Sequence, residues 1–338
     1  MRGRCISPSP YPLPRWGRGE KGSGSVHLLS YAGRRIGQTL PVALLVTVLI
    51  FLLIKLLPGD PAAAILGDRA SDEAVRALHR QWGLDRPLPT QYGIYMRNLV
   101  TGNLGQSLRY RTPVTELLPR RTAVTSFLVV YSMVLSILIA VPLAIVAATH
   151  RDRWPDQIVR GLITIPLASP AFWIGILLLI LFALKLRWFP AAGYGEGFVG
   201  HLRHLFLPAL TLSHAFAAVL TRNLRSALID VQTTTYVDFA RAKGLDRRTV
   251  LFRHVLRPAL LPIVTLVGVR LSYAIGGSVV IETVFSLPGL GSWMVESILA
   301  RDYMVVQTLT LAFALGAMLI NLLTDLIYPL FDPRVRMG

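Results

Sequence analysis

Charged residues are scarce in this sequence. They make up 16% of its 338 residues, whereas a soluble domain of ordinary composition carries about a quarter. Hydrophobic residues reach 53%, and the deficit of charge is concentrated in long, uninterrupted apolar runs. These features exclude an ordinary soluble protein and indicate an integral membrane protein.

Cysteine is nearly absent, since Cys5 is the single one. A single cysteine excludes an internal disulfide and any metal site built from several cysteines. The seven histidines are scattered, and His214 has no second histidine or acid at ligand spacing. We interpret His214 as a helix-contact residue rather than a metal ligand, and we expect neither a metal nor a cofactor.

Catalytic motifs are missing as well. The sequence has no glycine-rich phosphate loop followed by Lys-Ser or Lys-Thr, so we do not expect the chain to hydrolyse ATP itself. It shows no nucleophile–base arrangement and no paired carboxylates in a soluble fold, and we predict no catalytic residue. A transport or scaffolding function in a membrane remains.

Six apolar segments approach the length of about 20 residues that crosses a bilayer. We predict an all-α integral membrane protein with six transmembrane helices, over residues 36–57, 122–149, 161–184, 205–225, 258–285 and 304–328. Residues 1–25 are rich in Pro, Gly, Ser and Arg and are predicted to be a disordered tail. Residues 26–338 then form the membrane domain, with a long loop, 58–121, in which residues 71–82 favour an amphipathic helix.

Arginine and lysine predict the orientation of the spans. Twenty of them lie in segments 1–37, 150–160, 222–257 and 331–338, against four in the opposite loops 185–203 and 286–303. By the positive-inside rule both termini are cytoplasmic and the loop 58–121 is extracytoplasmic. The same rule explains the formal charge of +17 without nucleic acid. We expect a multi-pass protein in contact with lipid, in a bacterial or archaeal plasma or inner membrane.

The most informative polar stretch is the predicted cytoplasmic loop 226–257. Residues 240–243 favour a helix, Gly244 can end it, and residues 249–256 can begin another. A short helix pair on the cytoplasmic side is typical of a docking surface for a soluble partner. On composition alone, a solvated basic loop that only sets the topology is the alternative.

The order of residues in this loop resembles the coupling loop of ABC-importer permeases. The peptide/nickel branch of that family reads Ala-Arg-Ala-Lys-Gly-Leu and then Arg-His-x-Leu-Arg, as do residues 240–245 and 253–257 here. The resemblance implies the type I importer permease fold. It also implies that an ATPase-coupling loop is carried by Asp238, Ala240, Arg241, Ala242, Lys243, Gly244, Leu245, His254 and Leu256.

Further motifs extend the resemblance over about Arg34 to Arg336. They are residues 58–61, 83–88, 102–107, 282–291, 301–307, 321–328 and 332–336. The resemblance implies a first, B-type permease subunit of an importer for dipeptides, oligopeptides, nickel complexes or glutathione, with peptide as the default. The implied partners are a second, homologous permease in a heterodimer, two ATPase subunits and an extracytoplasmic solute-binding protein. Because relatives begin near the equivalent of Arg34, residues 1–25 are also open to interpretation as a gene-start artefact, with initiation near Val26.

Two charged residues near the fifth span are candidates for the translocation path, because an ionisable residue in a span is costly and is usually functional. Arg270 lies in mid-span, where it either meets an anionic group of the solute or pairs with another subunit. Glu282 lies near the outer end, where it either lines the path or caps the Pro-Gly turn that follows. The two are twelve residues apart, about 18 Å along a straight helix, so they cannot pair within it.

Two other classes of membrane protein compete with an importer permease. A secondary transporter would show internal repeats and membrane-buried acids, but here only Glu282 and Asp325 lie near span ends and no repeat is evident. A non-transporting scaffold or receptor would use the basic loop as an interaction site. Co-purification of an ATPase separates both from the importer.

Overall fold

The computed structural model describes residues 24–56, 71–83, 85–107 and 109–331. The described part is helical, with no strand in these ranges apart from one isolated bridge between Gln106 and Pro113. Most of the predicted tail 1–25 and the motifs 58–61 and 332–336 lie outside the described residues. The first helix begins at Gly24.

Twelve helical elements follow one another along the described chain. They are α1 (Gly24–Leu56), α2 (Asp72–Trp82), α3 (Leu88–Val100), α4 (Val114–Thr149), α5 (Trp154–Ala168), α6 (Ala171–Leu178), α7 (Gly197–Gln232), α8 (Thr235–Ala242), α9, α10 (Leu261–Val284), α11 (Leu290–Leu299) and α12 (Tyr303–Phe331). The element α9 is composite, with an α turn Arg247–Thr249, a π-helical segment Val250–Leu256 and an α turn Arg257–Ala259. A second π-helical segment, Leu179–Lys185, continues α6.

The helices long and apolar enough to cross a membrane confirm the prediction of a six-span protein. Five of them are single helices, at Gly33–Leu52, Val114–Thr149, Gly197–Gln232, Leu261–Val284 and Tyr303–Leu326. The pair formed by α5 and by α6 with its π-helical continuation is bent by 105°, and it makes a sixth when it is counted as one span.

That bend is where the structure differs from the sequence-based prediction of one continuous helix over residues 161–184. The break falls at Ser169, whose backbone is extended at φ −106° and ψ 134°, just before Pro170. Proline lacks an N–H and sterically disfavours helical backbone at the residue before it. The apolar run therefore continues through the break although the helix does not.

In its described part, the predicted loop 58–121 contains two complete helices and the first turns of α4, which begins at Val114. The predicted helix is present as α2, whereas α3 was not predicted. Pro89 lies in the first turn of α3, where the missing N–H of proline costs nothing. The helix packs on α1 through aromatic contacts of Phe51 with Tyr92 and Tyr95, and the Thr47 and Tyr92 hydroxyls lie 2.8 Å apart.

The centre of the bundle is the pairing of α4 with α7, the most extensive contact between two helices. Small residues of α4, Ala140, Ala144 and Ala148, are buried against Leu220 and other leucines of α7. Small side chains allow helices to approach closely, which is the usual basis of packing in a membrane. A second cluster, around Leu128, Leu207 and Phe285, fills the opposite end of the same pair.

The last span, α12, packs on both α10 and α1. A Cβ on Gly268 of α10 would lie 2.0 Å from the side chain of Thr324 in α12, so only glycine permits this approach. One turn further, the Ser272 hydroxyl donates to the Asn321 side chain at 2.8 Å. Arg35 of α1 forms an ion pair with Asp325 at 3.0 Å, so this acid near a span end has a structural partner.

Candidate functional site

The segment that resembles a coupling loop folds as two short helices with a glycine between them, as the sequence predicted. The helix α8 ends at Ala242 with Lys243 as its C-cap, and Gly244 follows with φ +79°. This left-handed conformation is strained for residues with a Cβ. The N–H groups of Lys243, Gly244 and Leu245 donate to carbonyls of the last turn of α8, so the helix end is closed within the loop.

A side-chain cap starts the second helix of the pair. The carboxylate of Asp246 accepts from the backbone N–H groups of Arg248 and Thr249, both at 3.1 Å. The hydrogen bonds from Thr249 are the main reason that the pKa of Asp246 lies below its usual value. The charged cap is therefore present at neutral pH, and the path of the chain after Gly244 is fixed.

A hydrogen bond between α8 and α9 uses a carbonyl that a proline leaves without its helical donor. Pro258 has no N–H, so in an α-helix the carbonyl of His254 would lack its donor. The Tyr236 hydroxyl of α8 donates to that carbonyl at 3.1 Å. The hydrogen bond ties α8 to the π-helical part of α9, where the sequence motif placed His254.

The buried face of α8 anchors the loop to the bundle. Val237 and Ala240 are buried in a cluster with Val250 and Val255 of α9 and with Leu224, Leu228 and further residues of α7. Burying an apolar side chain stabilises its position by about 1.5–3 kcal/mol. The helix pair therefore forms a rigid extension of α7 rather than a flexible tether.

The opposite face of the helix pair is exposed, and it is both aromatic and basic. Phe239 is 62% exposed and Phe252 is 57% exposed. The Lys243 ammonium lies 4.6 Å from the centre of the Phe239 ring, and Arg241 pairs with Asp238 at 3.1 Å. We call this surface the coupling face, defined by Asp238, Phe239, Arg241, Lys243, Leu245, Arg247, Arg248, Phe252 and Arg253, all of them exposed.

The residues named from the sequence thus divide between two roles. Ala240 is buried and anchors α8, while Leu256 is half-buried against the same cluster. Asp238, Arg241, Ala242, Lys243, Gly244 and Leu245 are exposed, and His254 contributes a carbonyl to the hydrogen bond from Tyr236. The sequence reasoning did not single out Tyr236, Phe239, Asp246 or Phe252. Two aromatic residues beside the basic motif were the signal that could have found the exposed face.

An ion pair with a buried carboxylate, near this end of the bundle, was also missed. Asp156 of α5 has no exposed surface, and its two oxygens accept from Arg225 of α7 at 2.6 and 2.5 Å. The Asp152 N–H donates to the same carboxylate at 3.0 Å. A two-fold contact between a guanidinium and a carboxylate fixes direction as well as distance. It holds α5 against α7 two helical turns before the coupling loop.

Arg270 lies in the middle of α10, as expected, and is half-buried. It makes no hydrogen bond or ion pair to any residue that the structure describes. The guanidinium cannot lose its charge in a protein. A partner from outside the described chain is therefore expected for it.

Glu282 is fully buried at the end of α10, with 0% exposure. Its carboxylate accepts from the N–H groups of Gly291 and Ser292 at 2.7 and 3.1 Å, and from the Thr125 hydroxyl at 2.7 Å. These backbone groups belong to the first turn of α11, where an anion is stabilised by unpaired N–H groups. The geometry is that of a cap, one of the two alternatives for this residue.

Two motifs at this end of the bundle meet in space. The hydroxyl of Ser107, from the motif 102–107, donates to the buried carboxylate of Asp302, from the motif 301–307, at 2.7 Å. Gly105 has φ +80°, and a Cβ there would lie 3.6 Å from Met304. The contact fastens the long loop to the start of α12.

The chain is a multi-pass helical bundle with an exposed, basic helix pair at one end, as the resemblance to importer permeases implies. Residues 140–337 match the family of the binding-protein-dependent transport system inner membrane component, and residues 28–128 match the N-terminal region of such membrane components. The chain belongs to this family. It is a permease subunit of a binding-protein-dependent importer and a multi-pass inner-membrane protein, which confirms the prediction of a transport subunit rather than an enzyme.

This chain aligns with its relatives over nearly their whole length. The chain is 38% identical over 309 residues to the glutathione transport system permease protein GsiC of Salmonella typhi and to that of Escherichia coli K12, covering 91% of this chain and 99% of each relative. Among solved structures, the inward-facing MetNI methionine ABC transporter matches with a TM-score of 0.55 at 17% identity, over 64% of this chain and 96% of that one. An amino acid ABC transporter matches with a TM-score of 0.50 at 13% identity, over 63% and 94%. The fold is that of ABC importer permeases, and members of this family work with membrane permease partners and ATPase subunits.

Proposed function

We propose that the chain forms half of the translocation path of an ATP-driven importer for small peptides, in a heterodimer with a second, homologous permease. Two ATPase subunits bind on the cytoplasmic side, and a solute-binding protein delivers the solute on the other. The substrate class is supported by the relatives named for glutathione transport, since glutathione is itself a small peptide. The coupling face carries the ATPase-docking part of the proposal.

The chemistry of that face suits a protein partner. Exposed aromatic side chains surrounded by arginine are typical of the residues that dominate binding energy at interfaces. Phe239 and Phe252 are exposed, while the backbone that carries them is held by Val237, Ala240 and the cap at Asp246. A partner that receives the two rings in an acid-rimmed groove would move α8 without bending it.

The orientation of the chain belongs to the same proposal. The coupling face must lie on the ATP-containing side, so both termini are cytoplasmic, and the long loop with α2 and α3 lies outside. The contact between Ser107 and Asp302 then supports the surface that meets the binding protein. A cysteine placed at Arg248, in a Cys5→Ser background, should be protected from a membrane-impermeant thiol reagent added to intact cells.

The ATPase interaction is tested by a pull-down in mild detergent with a Phe239→Asp and Phe252→Asp double variant. Both side chains are exposed, so the variant should keep the thermal stability of the wild type while losing the ATPase. Phe198→Asp is the matched control, because Phe198 is 67% exposed and lies at the other end of α7. Retention of the ATPase by the double variant, or its absence from the wild type, would contradict the proposed coupling face.

The two acids that the sequence places near span ends do not support a gradient-driven transporter. Such a transporter needs titratable acids that face a path, but Glu282 is enclosed in a cap and Asp325 is paired with Arg35.

A further inference from the structure

One face of α10 remains uncovered along the whole span. Its exposed positions recur every three or four residues, at Thr265, Val269, Tyr273, Gly276, Val280 and Thr283. Other spans expose large apolar side chains, such as Phe172, Trp173, Ile176, Leu177, Ile180 and Leu184 of α6 and its continuation. The face of α10 has smaller and more polar side chains than a lipid-facing surface needs. This difference points to a face that meets water, solute or a second subunit.

An open groove runs beside this face, between α7 and the first half of α10. It holds about 500 Å³, within the range of pockets that bind small molecules. Its polar side chains are Asn223, Ser226 and Asp230 from α7 and Thr265 from α10, and Leu266 and Val269 contribute apolar surface. The carboxylate of Asp230 is exposed and makes no hydrogen bond or ion pair within the described part of the chain.

Arg270 lies along the same contact between α7 and α10, beyond the end of the groove that is nearer to the middle of the span. It follows Leu266 by one turn, and Gly277 follows it by two, so the three positions lie within about 40° on the helix surface. Leu266 lines the groove, and a Cβ on Gly277 would lie 3.4 Å from Leu212 of α7. Arg270 is therefore on the side of α10 that faces α7, next to Val269 at the edge of the groove.

The two unpaired charges suit the two ends of a short peptide. Because α7 and α10 are consecutive spans and run in opposite directions, Asp230 lies near the level of Pro262, about 12 Å below Arg270 along the axis. An extended tripeptide is about 10 Å long. We propose that Arg270 and Asp230 form a solute-binding station on the path, in which Arg270 binds the carboxylate of a short peptide and Asp230 binds its ammonium group.

This station rests on the proposed function and adds a selection for zwitterionic peptides to it. Guanidinium and carboxylate form strong, directional hydrogen bonds, and Asn223, Ser226 and Thr265 offer groups for the peptide bonds between the two ends. The station also explains how the charge of Arg270 is compatible with a membrane span, since Arg270 follows Val269 at the edge of an open groove lined by polar side chains.

The test is a competition binding assay on the purified complex of both permeases and the ATPases, without nucleotide and without binding protein. It varies both the peptide and the protein. Radiolabelled trialanine is the probe, and unlabelled trialanine, its C-terminal amide and N-acetyltrialanine are the competitors. On the wild type the amide and the acetyl derivative should each compete at least about tenfold more weakly than trialanine. In Arg270→Gln the amide should compete as well as trialanine does, while the acetyl derivative still competes weakly. In Asp230→Asn the acetyl derivative should compete as well as trialanine does, while the amide still competes weakly.

Arg203→Gln and Glu196→Gln are the matched controls, since both residues are exposed near the start of α7, away from the groove. They should discriminate as the wild type does. Discrimination that is unchanged in Arg270→Gln, or a wild type that does not bind trialanine, would overturn the station. Dissociation of the complex by Arg270→Gln would also overturn it and would assign the arginine to an intersubunit ion pair.

The result that would refute the proposed function differs from the result that would refute only the binding station. If the purified wild type carries no ATPase, or if proteoliposomes with the binding protein take up neither trialanine nor glutathione, the chain is not the proposed peptide importer. If ATP-driven uptake occurs but the two variants transport and discriminate normally, the importer stands and the station alone is wrong.

Discussion

The cap around Glu282 makes a quantitative prediction for Glu282→Ala. The variant removes the acceptor for the N–H groups of Gly291 and Ser292 and for the Thr125 hydroxyl. The two backbone groups are buried, and each unsatisfied buried donor costs about 1–3 kcal/mol. With the volume lost from a closed site, we expect the free energy of unfolding to fall by about 3–6 kcal/mol.

The shape of the site supports the upper part of that range. A Cβ on Gly289 would lie 2.3 Å from a Glu282 oxygen, and a Cβ on Gly291 would lie 2.4 Å from the backbone of Val279. The chain is therefore packed tightly around the carboxylate, and it cannot close readily over a cavity. Glu282→Gln keeps one acceptor oxygen and turns an NH₂ group toward the other donors, so about half of the loss is expected.

Equilibrium unfolding in mixed micelles, followed by circular dichroism, measures this difference. Glu296→Ala is the control, because Glu296 lies on α11 with a side chain that is 39% exposed and that pairs with Arg109 at 3.5 Å. An exposed pair of this kind contributes less than about 1 kcal/mol. If the two variants differ by less than about 1 kcal/mol, Glu282 does not hold α11, and its assignment to the translocation path becomes the better explanation.

Four further predictions concern other elements. Gly244→Ala should weaken ATPase co-purification more than Gly244→Asn does, because φ +79° costs a residue with a Cβ about 1–2 kcal/mol and asparagine tolerates it better. Asp246→Ala should weaken ATPase co-purification, whereas Asp246→Asn should keep it. Because the pKa of Asp246 is lowered, the cap is charged above the ordinary pKa of aspartate and loses its charge only as the pH falls through the lowered pKa. Titration of Asp246 should therefore not change ATPase binding between pH 5 and 8. Asp156→Asn should destabilise the chain by about 1.5–3 kcal/mol by leaving the half-buried Arg225 without its charge partner, and the further change Arg225→Gln should recover part of the loss. In a Cys5→Ser background, a cationic thiol reagent should modify Thr265→Cys in the groove at least about tenfold faster than Leu319→Cys on the apolar face of α12, because the reaction needs a hydrated thiolate; equal rates would contradict an aqueous groove.

The sequence predicted the parts of the fold that depend on the local pattern of residues. Apolar runs predicted the spans, and Gly244 between two helix-favouring stretches predicted the shape of the coupling loop. The break before Pro170 was missed although its cause was visible, since a proline inside an apolar run permits either a kinked or a broken helix. The helix α3 was missed because its stability comes from tyrosines packed on α1 rather than from an amphipathic period.

Pairings between distant residues were beyond sequence reasoning. Asp156 and Arg225 are 69 positions apart, and Tyr236 meets the carbonyl of His254 only because α9 folds back on α8. No periodicity records such contacts, because they depend on the packing of whole helices. The two alternatives for Glu282 could not be separated for the same reason, since its partners, Thr125 and the start of α11, are brought to it by the fold.

The same packing provides a route from the coupling face to the groove. Val237 and Ala240 of α8, Val250 and Val255 of α9, and Ile263 of α10 belong to one buried cluster, and Ile263 also lines the groove beside Asp230. Closely packed interiors transmit displacement rather than absorb it. A partner that displaces α8 therefore also moves the end of α7 and the start of α10, which are the two walls of the groove. If this route operates, Ile263→Ala should leave ATPase binding intact while lowering the uptake per ATP hydrolysed, because the variant loosens a buried apolar contact that the cluster and the groove share.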